Sequence, residues 1–228
     1  MSFIVIEGLD GSGKSTQLRM LRQHLSERSA DYFFLHFPRT DAPVFGEMIA
    51  RFLRGDLGRI EDVDPYLVAL LYAGDRRDAA EMIRSEQQKR GLVLVDRYVY
   101  SNIAFQCAKL KDPAEQEKLR DWILFMEYEH FRIPRPDLNL FLDVPFAFTA
   151  QQLTRGRKGT ERDYLHGRQD IHEENLRFQE KVREIYLSYA AVMDDCVTIT
   201  CYDDKGAMLP EDEIFKNILD ILEQRKMI

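Results

Sequence analysis

Short apolar runs alternate with stretches of helical period along this chain. Phe3-Ile4-Val5-Ile6 reads as a buried strand over 3–7. After it, Leu18, Leu21 and Leu25 recur on one face of a helix from Gly13 to about Glu27. Tyr32–Phe37 predicts a second buried strand, and Phe45, Ile49, Phe52 and Leu53 a short helix stopping near Gly55. Asp64-Pro65 joins a cap to a first-turn proline. From there Leu67, Leu70, Leu71, Ala79, Met82 and Ile83 carry a long helix to Gly91. Leu92–Val95 is the third expected strand, followed by helices at 101–108 and 113–131. Leu138–Asp143 is the fourth, and Pro145 opens a helix that runs into a basic stretch. A helix at 173–193, a strand at 197–201 and a helix at 211–225 close the chain. This alternation predicts an α/β fold, with five strands in one parallel sheet and ligands at their carboxyl ends.

Composition narrows the class. The 228 residues are 45% hydrophobic and 31% charged, which predicts a soluble globular chain with material for a large core. The net charge of −7 argues against non-specific binding to nucleic acid or to an anionic membrane. An anionic ligand therefore needs a local cationic pocket. Three cysteines, Cys107, Cys196 and Cys201, cannot all pair within one chain and fit a reducing cytosol. The start lacks the features of a signal peptide, and no apolar run reaches membrane-spanning length. The five histidines show no metal-ligand spacing, so no zinc site is expected.

The first strand-to-helix turn carries the chemistry. Gly8, Leu9, Asp10, Gly11, Ser12, Gly13, Lys14, Ser15 and Thr16 follow the phosphate-binding pattern G-x-x-x-x-G-K-S, in the strand–loop–helix context it requires. Successive backbone N–H groups and the helix N-terminus favour phosphate there. Lys14 supplies a mobile charge for the outer phosphates, and the Ser15 hydroxyl suits Mg²⁺. Arg39 follows the second strand and Asp96-Arg97 the third, so their charges converge on the same sheet edge. Phosphoryl transfer needs such convergence, because its catalysis is mostly positioning and charge neutralisation. Asp96 is a candidate Mg²⁺ ligand, directly or through water. Arg155, Arg157, Lys158, Arg162 and Arg168, interleaved with glycines, read as a mobile flap or as a solvated basic face. Asp10 suits either a sugar hydroxyl or an Asx turn of its own loop. Tyr72 and Arg76, four apart on one helix face, suit a nucleobase or ordinary packing, as do Asn102 and Phe105.

With these motifs in hand, the sequence resembles the thymidylate kinase family over nearly its whole length. The residues that carry the likeness are the loop 8–16 with its internal Asp10, Phe37-Pro38-Arg39, Leu71-Tyr72-Ala73-Gly74-Asp75-Arg76, and Asp96-Arg97-Tyr98 with Ser101, Ala104, Phe105 and Gln106. The resemblance implies a single nucleoside monophosphate kinase domain over 1–228. Its fold would be a P-loop NTPase-type five-stranded parallel sheet with helices on both faces and a short mobile lid at about 155–168. It implies ATP and dTMP as substrates and Mg²⁺ as cofactor, with Ser15 and Asp96 serving the metal. Asp10 would meet the 3′-hydroxyl of dTMP, and Arg39 and Arg97 its phosphate. Phe37, Tyr72, Arg76, Ser101, Asn102, Phe105 and Gln106 would surround the rest, with Tyr72 on the thymine face. Arg76 would bond the thymine O4, Asn102 or Gln106 the ring edge, and Phe105 would crowd the 2′-position. Gly11 stands where some members carry a P-loop arginine. Lys14, Arg39, Arg97 and the lid's Arg155, Arg157 and Arg162 would then serve catalysis. A cytoplasmic homodimer is also implied. The rival expectations are a kinase of the same fold acting on dUMP, UMP or a deoxynucleoside, and a P-loop module that senses nucleotide without catalysis.

Overall fold

The computed structural model describes residues 1–60, 62–154, 164–165, 170–173 and 175–228. The strands are β1 (Ser2–Gly8), β2 (Phe33–His36), β3 (Leu92–Asp96), β4 (Leu138–Asp143) and β5 (Cys196–Thr200). They form one sheet in the order β2-β3-β1-β4-β5, and every pair is parallel. The register aligns Ile6 with Asp96, and Gly8 with Leu142. That brings the loops after β1, β3 and β4 to one edge.

The helices are α1 (Lys14–Glu27), α2 (Phe45–Leu53), α3 (Pro65–Arg90), α4 (Val99–Cys107), α5 (Pro113–Leu124), α6 (Phe146–Thr154), α7 (Leu176–Ala190) and α8 (Glu211–Gln224). Alternate side chains of β1 leave opposite faces of the sheet. Phe3 and Val5 join Val93, Val95 and Phe141 in a core closed by α3, α4 and α7. Ile4 and Ile6 join Leu94 and Leu140 under α1 and α8. Helices therefore cover both faces, as a parallel sheet requires.

Three expectations change. β2 is a half-buried edge strand rather than a buried one, because among the described residues only β3 flanks it. On α3, Leu67, Leu70 and Met82 are exposed, while Ala69, Ala73, Gly74, Asp75, Arg76, Ala79 and Ile83 are buried. The inward face of that helix is built from small residues and two paired charges, because it walls a cleft. The helix expected at 113–131 is α5 followed by a π-helical turn, Phe125–His130. Local capping accounts for α3: the Asp64 side chain accepts the N–H groups of Tyr66 and Leu67, and Pro65 lacks the donor that this end would leave unpaired.

Among the described residues no helix is long and apolar enough to cross a membrane. The cysteines are free, and burial pushes each thiol up to about 12, so they stay protonated.

Candidate active site

A cleft of about 820 Å³ opens where β1, β2 and β3 end. Lys14, Ser15 and Thr16 line one side, and Phe37 and Arg39 another. Tyr72 and Arg76 of α3, Asp96 and Arg97, and Ser101, Asn102, Phe105 and Gln106 of α4 complete it, with Asp10 between. The residues singled out after three different strands thus share one cavity. Arg155, Arg157 and Arg162, with the rest of the expected lid at 155–163 and 166–168, lie outside the described residues.

The loop after β1 turns through Gly11 and Gly13, whose φ angles of +74° and +84° residues with a Cβ rarely adopt. Gly13 is the N-cap of α1 and contributes no side chain, which leaves the helix end open to an anion. Lys14 is buried, and its Nζ donates to the Leu9 carbonyl at 2.9 Å. The loop's own backbone thus holds the ammonium in place.

Arg39 and Arg97 are each aimed by a carboxylate. Arg39 donates from its backbone N (2.9 Å) and Nε (2.8 Å) to the Asp75 carboxylate, and from Nη2 to the Asp75 carbonyl (2.8 Å). Arg97 donates to Asp10 Oδ1 at 2.8 Å and to Ser101 Oγ at 3.2 Å. Burial alone would weaken the Arg97 charge, but Asp10 and other acidic neighbours outweigh it and raise its pKa well above the ordinary value. Arg97 also sits at φ +63°, a conformation costing on the order of 1–3 kcal/mol for a non-glycine residue. Such strain persists where the surroundings fix it, as here between Asp10 and Ser101. The second Asp10 oxygen accepts from Gln179 of α7 at 3.3 Å, so the carboxylate is an ion-pair partner and a bridge between elements.

Arg76 is almost fully buried and grips Glu127 with both Nε (2.5 Å) and Nη2 (2.7 Å). The Asn102 Nδ2 donates to Glu127 at 3.0 Å and to the Ala69 carbonyl at 3.1 Å. Phe105 packs its ring 4.9 Å from that of His172. Burial and the nearby Lys109 push His172 down to about 3, so the ring is neutral. Asp170, buried beside Asp10, is pushed up to about 7.

Asp96 Oδ2 accepts from His36 Nδ1 at 2.9 Å; the other oxygen, Oδ1, is buried without a hydrogen-bond partner among the described residues. Burial alone would raise the Asp96 pKa, but the His36 bond and the Lys14 and Arg97 charges hold it below the ordinary value. An ionised carboxylate with an unused lone pair at the cleft wall fits a hydrated divalent cation.

Three carboxylates that organise this site escaped the sequence: Glu7, Asp75 and Glu127. Glu7 is fully buried and accepts four donors: the backbone N–H groups of Tyr98 (2.9 Å) and Ser101 (3.2 Å), Ser101 Oγ (2.6 Å) and Tyr186 OH (2.9 Å). The α4 N-cap, Tyr98, makes no side-chain cap of its own. Glu7 supplies it from β1. The available signal was an acidic residue at the end of an apolar strand, which a buried position tolerates only when fully paired.

A family model described as thymidylate kinase matches residues 6–205. The chain belongs to the thymidylate kinase family. The family's members are phosphotransferases that use ATP to phosphorylate dTMP, and the chain is such a kinase. It is 32% identical over 188 residues to thymidylate kinase of Mycobacterium tuberculosis, covering 82% of this chain and 85% of that protein. It is 31% identical over 214 residues to human thymidylate kinase, covering 93% and 91%. A solved thymidylate kinase from Candida albicans superposes with a TM-score of 0.71 at 24% identity, over 99% of this chain and 92% of that one, which bears out the fold.

Proposed function

We propose that the chain, as one domain over 1–228, transfers the γ-phosphoryl group of Mg-ATP directly to dTMP, giving dTDP and ADP. An oxygen of the dTMP phosphate attacks the γ-phosphorus in line, the bond to the β,γ-bridging oxygen breaks, and ADP leaves with its electron pair. The observation that carries this reading is the pair of arginines at the ends of β2 and β3, each aimed by a carboxylate into the cleft that Lys14 also lines. A nucleotide sensor has no use for a second anion grip.

In this reading the loop 8–16 holds the ATP phosphates, and Lys14 follows the negative charge as it shifts. Arg39 and Arg97 hold the dTMP phosphate. Asp10 orients Arg97 and meets the 3′-hydroxyl. Tyr72 stacks on thymine, with Phe37 and Ser101 behind the sugar and phosphate. Arg76, Asn102 and Gln106 read the base edge, and Phe105 disfavours a 2′-hydroxyl. Ser15 and Asp96 would hold Mg²⁺, which neutralises phosphate charge when bound. Arg155, Arg157 and Arg162 remain the proposed lid cations. A homodimer gains support from the exposed apolar side chains Leu67, Leu70 and Met82 on α3. A cytoplasmic enzyme without nucleic-acid or membrane partners fits the net charge of −7 and the free thiols.

The test is ADP release with ATP, Mg²⁺ and a panel of monophosphates. Highest kcat/KM on dTMP is expected. ATP binding without turnover on any acceptor would favour the sensor, and a preference for dUMP or UMP would reassign the acceptor.

A further inference from the structure

The base end of the cleft presents a fixed order of donor and acceptor, and a residue outside the cleft sets that order. Asn102 has two amide hydrogens. One goes to the Ala69 carbonyl and the other to Glu127 Oε1. Both partners only accept, so the amide has a single satisfiable orientation. Its Oδ1 must point the other way, and that atom is buried and has no hydrogen-bond partner among the described residues. The residue lines the cleft. A buried carbonyl oxygen without a donor is costly unless a ligand supplies one.

The same carboxylate takes Nε and Nη2 of Arg76. Arg76 also lines the cleft, and its remaining N–H groups can only donate. Donor and acceptor therefore belong to one wall of the cleft, and their polarities are set by one buried group. Gln106, one helical turn beyond Asn102, also has a buried Oε1 without a partner. Among the described residues its side-chain amide makes no hydrogen bond that would fix its orientation. Asn102 is therefore the position where polarity is locked.

We propose that Glu127 is the positioning residue for base discrimination, holding Arg76 as donor and Asn102 as acceptor so that the cleft accepts an imide edge (carbonyl beside N–H) and rejects an amidine edge (amino beside a lone-pair nitrogen). Thymine and uracil carry the first edge and cytosine the second. With cytosine, its amino group would face Arg76 and its ring nitrogen would face the Asn102 oxygen. Both contacts fail, and both leave buried groups unpaired. The π-helical turn Phe125–His130 has a part in this. The wide turn is a local departure from α-helix of the kind found at functional sites, and it is the element that carries Glu127. This inference rests on the proposed reading of the cleft as a pyrimidine monophosphate site.

The experiment compares kcat/KM for dTMP and for dCMP, with ATP and Mg²⁺, in the wild-type protein and in Glu127→Gln. Glutamine keeps the shape but puts an NH₂ group in place of one acceptor oxygen, so Arg76 and Asn102 can no longer both be held as they are by the carboxylate. The dTMP:dCMP ratio is expected to fall by about tenfold or more, with KM for ATP within about twofold of wild type. An unchanged ratio in a folded variant would overturn the proposal, because a purely structural role lowers both acceptors together. Should Glu127→Gln fail to fold, Glu127→Asp decides. It keeps the charge for Arg76 but is one methylene too short to hold Asn102 as well, so the ratio is expected to fall several-fold, and an unaltered ratio refutes the inference. A wild-type protein that does not prefer dTMP over dCMP would instead refute the reading of the site, before Glu127 enters.

Discussion

Gly46 offers a test of how closely the acceptor loop is held. It lies in the first turn of α2, against the loop that carries Arg39. A Cβ built there would lie 2.1 Å from the Arg39 carbonyl oxygen, where real Cβ atoms essentially never come closer than 3.0 Å. The carbonyl cannot swing aside, since it accepts the Ala42 N–H at 2.8 Å and closes the turn. Gly46→Ala must therefore displace the loop or the helix by about 1 Å, and a misplacement of that size costs about 10²-fold in a phosphoryl-aligning site. Two bonds from Asp75 hold the Arg39 guanidinium, so a moved loop drags the side chain off its aim. We expect kcat/KM for dTMP to fall by about 10²-fold while KM for ATP stays within about twofold, because the loop 8–16 is not touched. The overpacking itself costs about 1–3 kcal/mol, a drop in Tm of several degrees for a chain of this length. Coupled ADP release and a thermal melt separate the two effects. A variant with wild-type dTMP kinetics would refute the claim that backbone contact with α2 sets the position of Arg39.

The remaining predictions concern the charges. Arg97→Ala should lower turnover by about 10²–10³-fold with ATP affinity nearly intact; loss of both together would remove Arg97 from its acceptor-side role. Asp10→Ala should raise KM for dTMP more than KM for ATP, and an unmoved dTMP KM would reduce Asp10 to a loop residue. Asp170 carries a pH signature. Burial and Asp10 raise its folded pKa from 3.8 to about 7. Its contribution to stability is thus full below about pH 4 and is lost as pH rises through about 7, by at most about 4 kcal/mol. Asp170→Asn should match wild type in Tm at pH 4 and exceed it at pH 8. A variant no more stable at pH 8 would show that Asp170 ionises there without cost.

Much of this fold is legible because its signals are local. The apolar run of β4 gives its bounds directly, and Asp64-Pro65 and Gly91 bracket α3. The loop 8–16 is legible because glycine spacing and a lysine follow from phosphate geometry. What escapes are the buried carboxylates. Glu127 lies 51 positions from Arg76, and Glu7 lies 94 from Ser101, so nothing near them in the chain marks them as paired. In isolation Glu127 reads as a surface charge, and Glu7 is marked only by its place at the end of an apolar strand. The same blindness misassigned α3. Leu67, Leu70 and Met82 look like its core face, yet the inward face holds alanines, Gly74 and the salt-bridged Asp75 and Arg76. Hydrophobicity locates a core, whereas a helix that walls a polar cleft turns its charges inward. β2 misled for a related reason, since an edge position exposes apolar side chains that a central strand would bury.

The cap that β1 lends to α4 has a consequence for assembly. Helix nucleation is costly, and the first turn of α4 has no side chain of its own to meet its free N–H groups. The α4 wall of the cleft therefore leans on the strand that leads into the loop 8–16, because Glu7 meets the N–H groups at its start. In the proposed reading, the seats for the two nucleotides are thus measured from one shared datum, the Glu7 carboxylate.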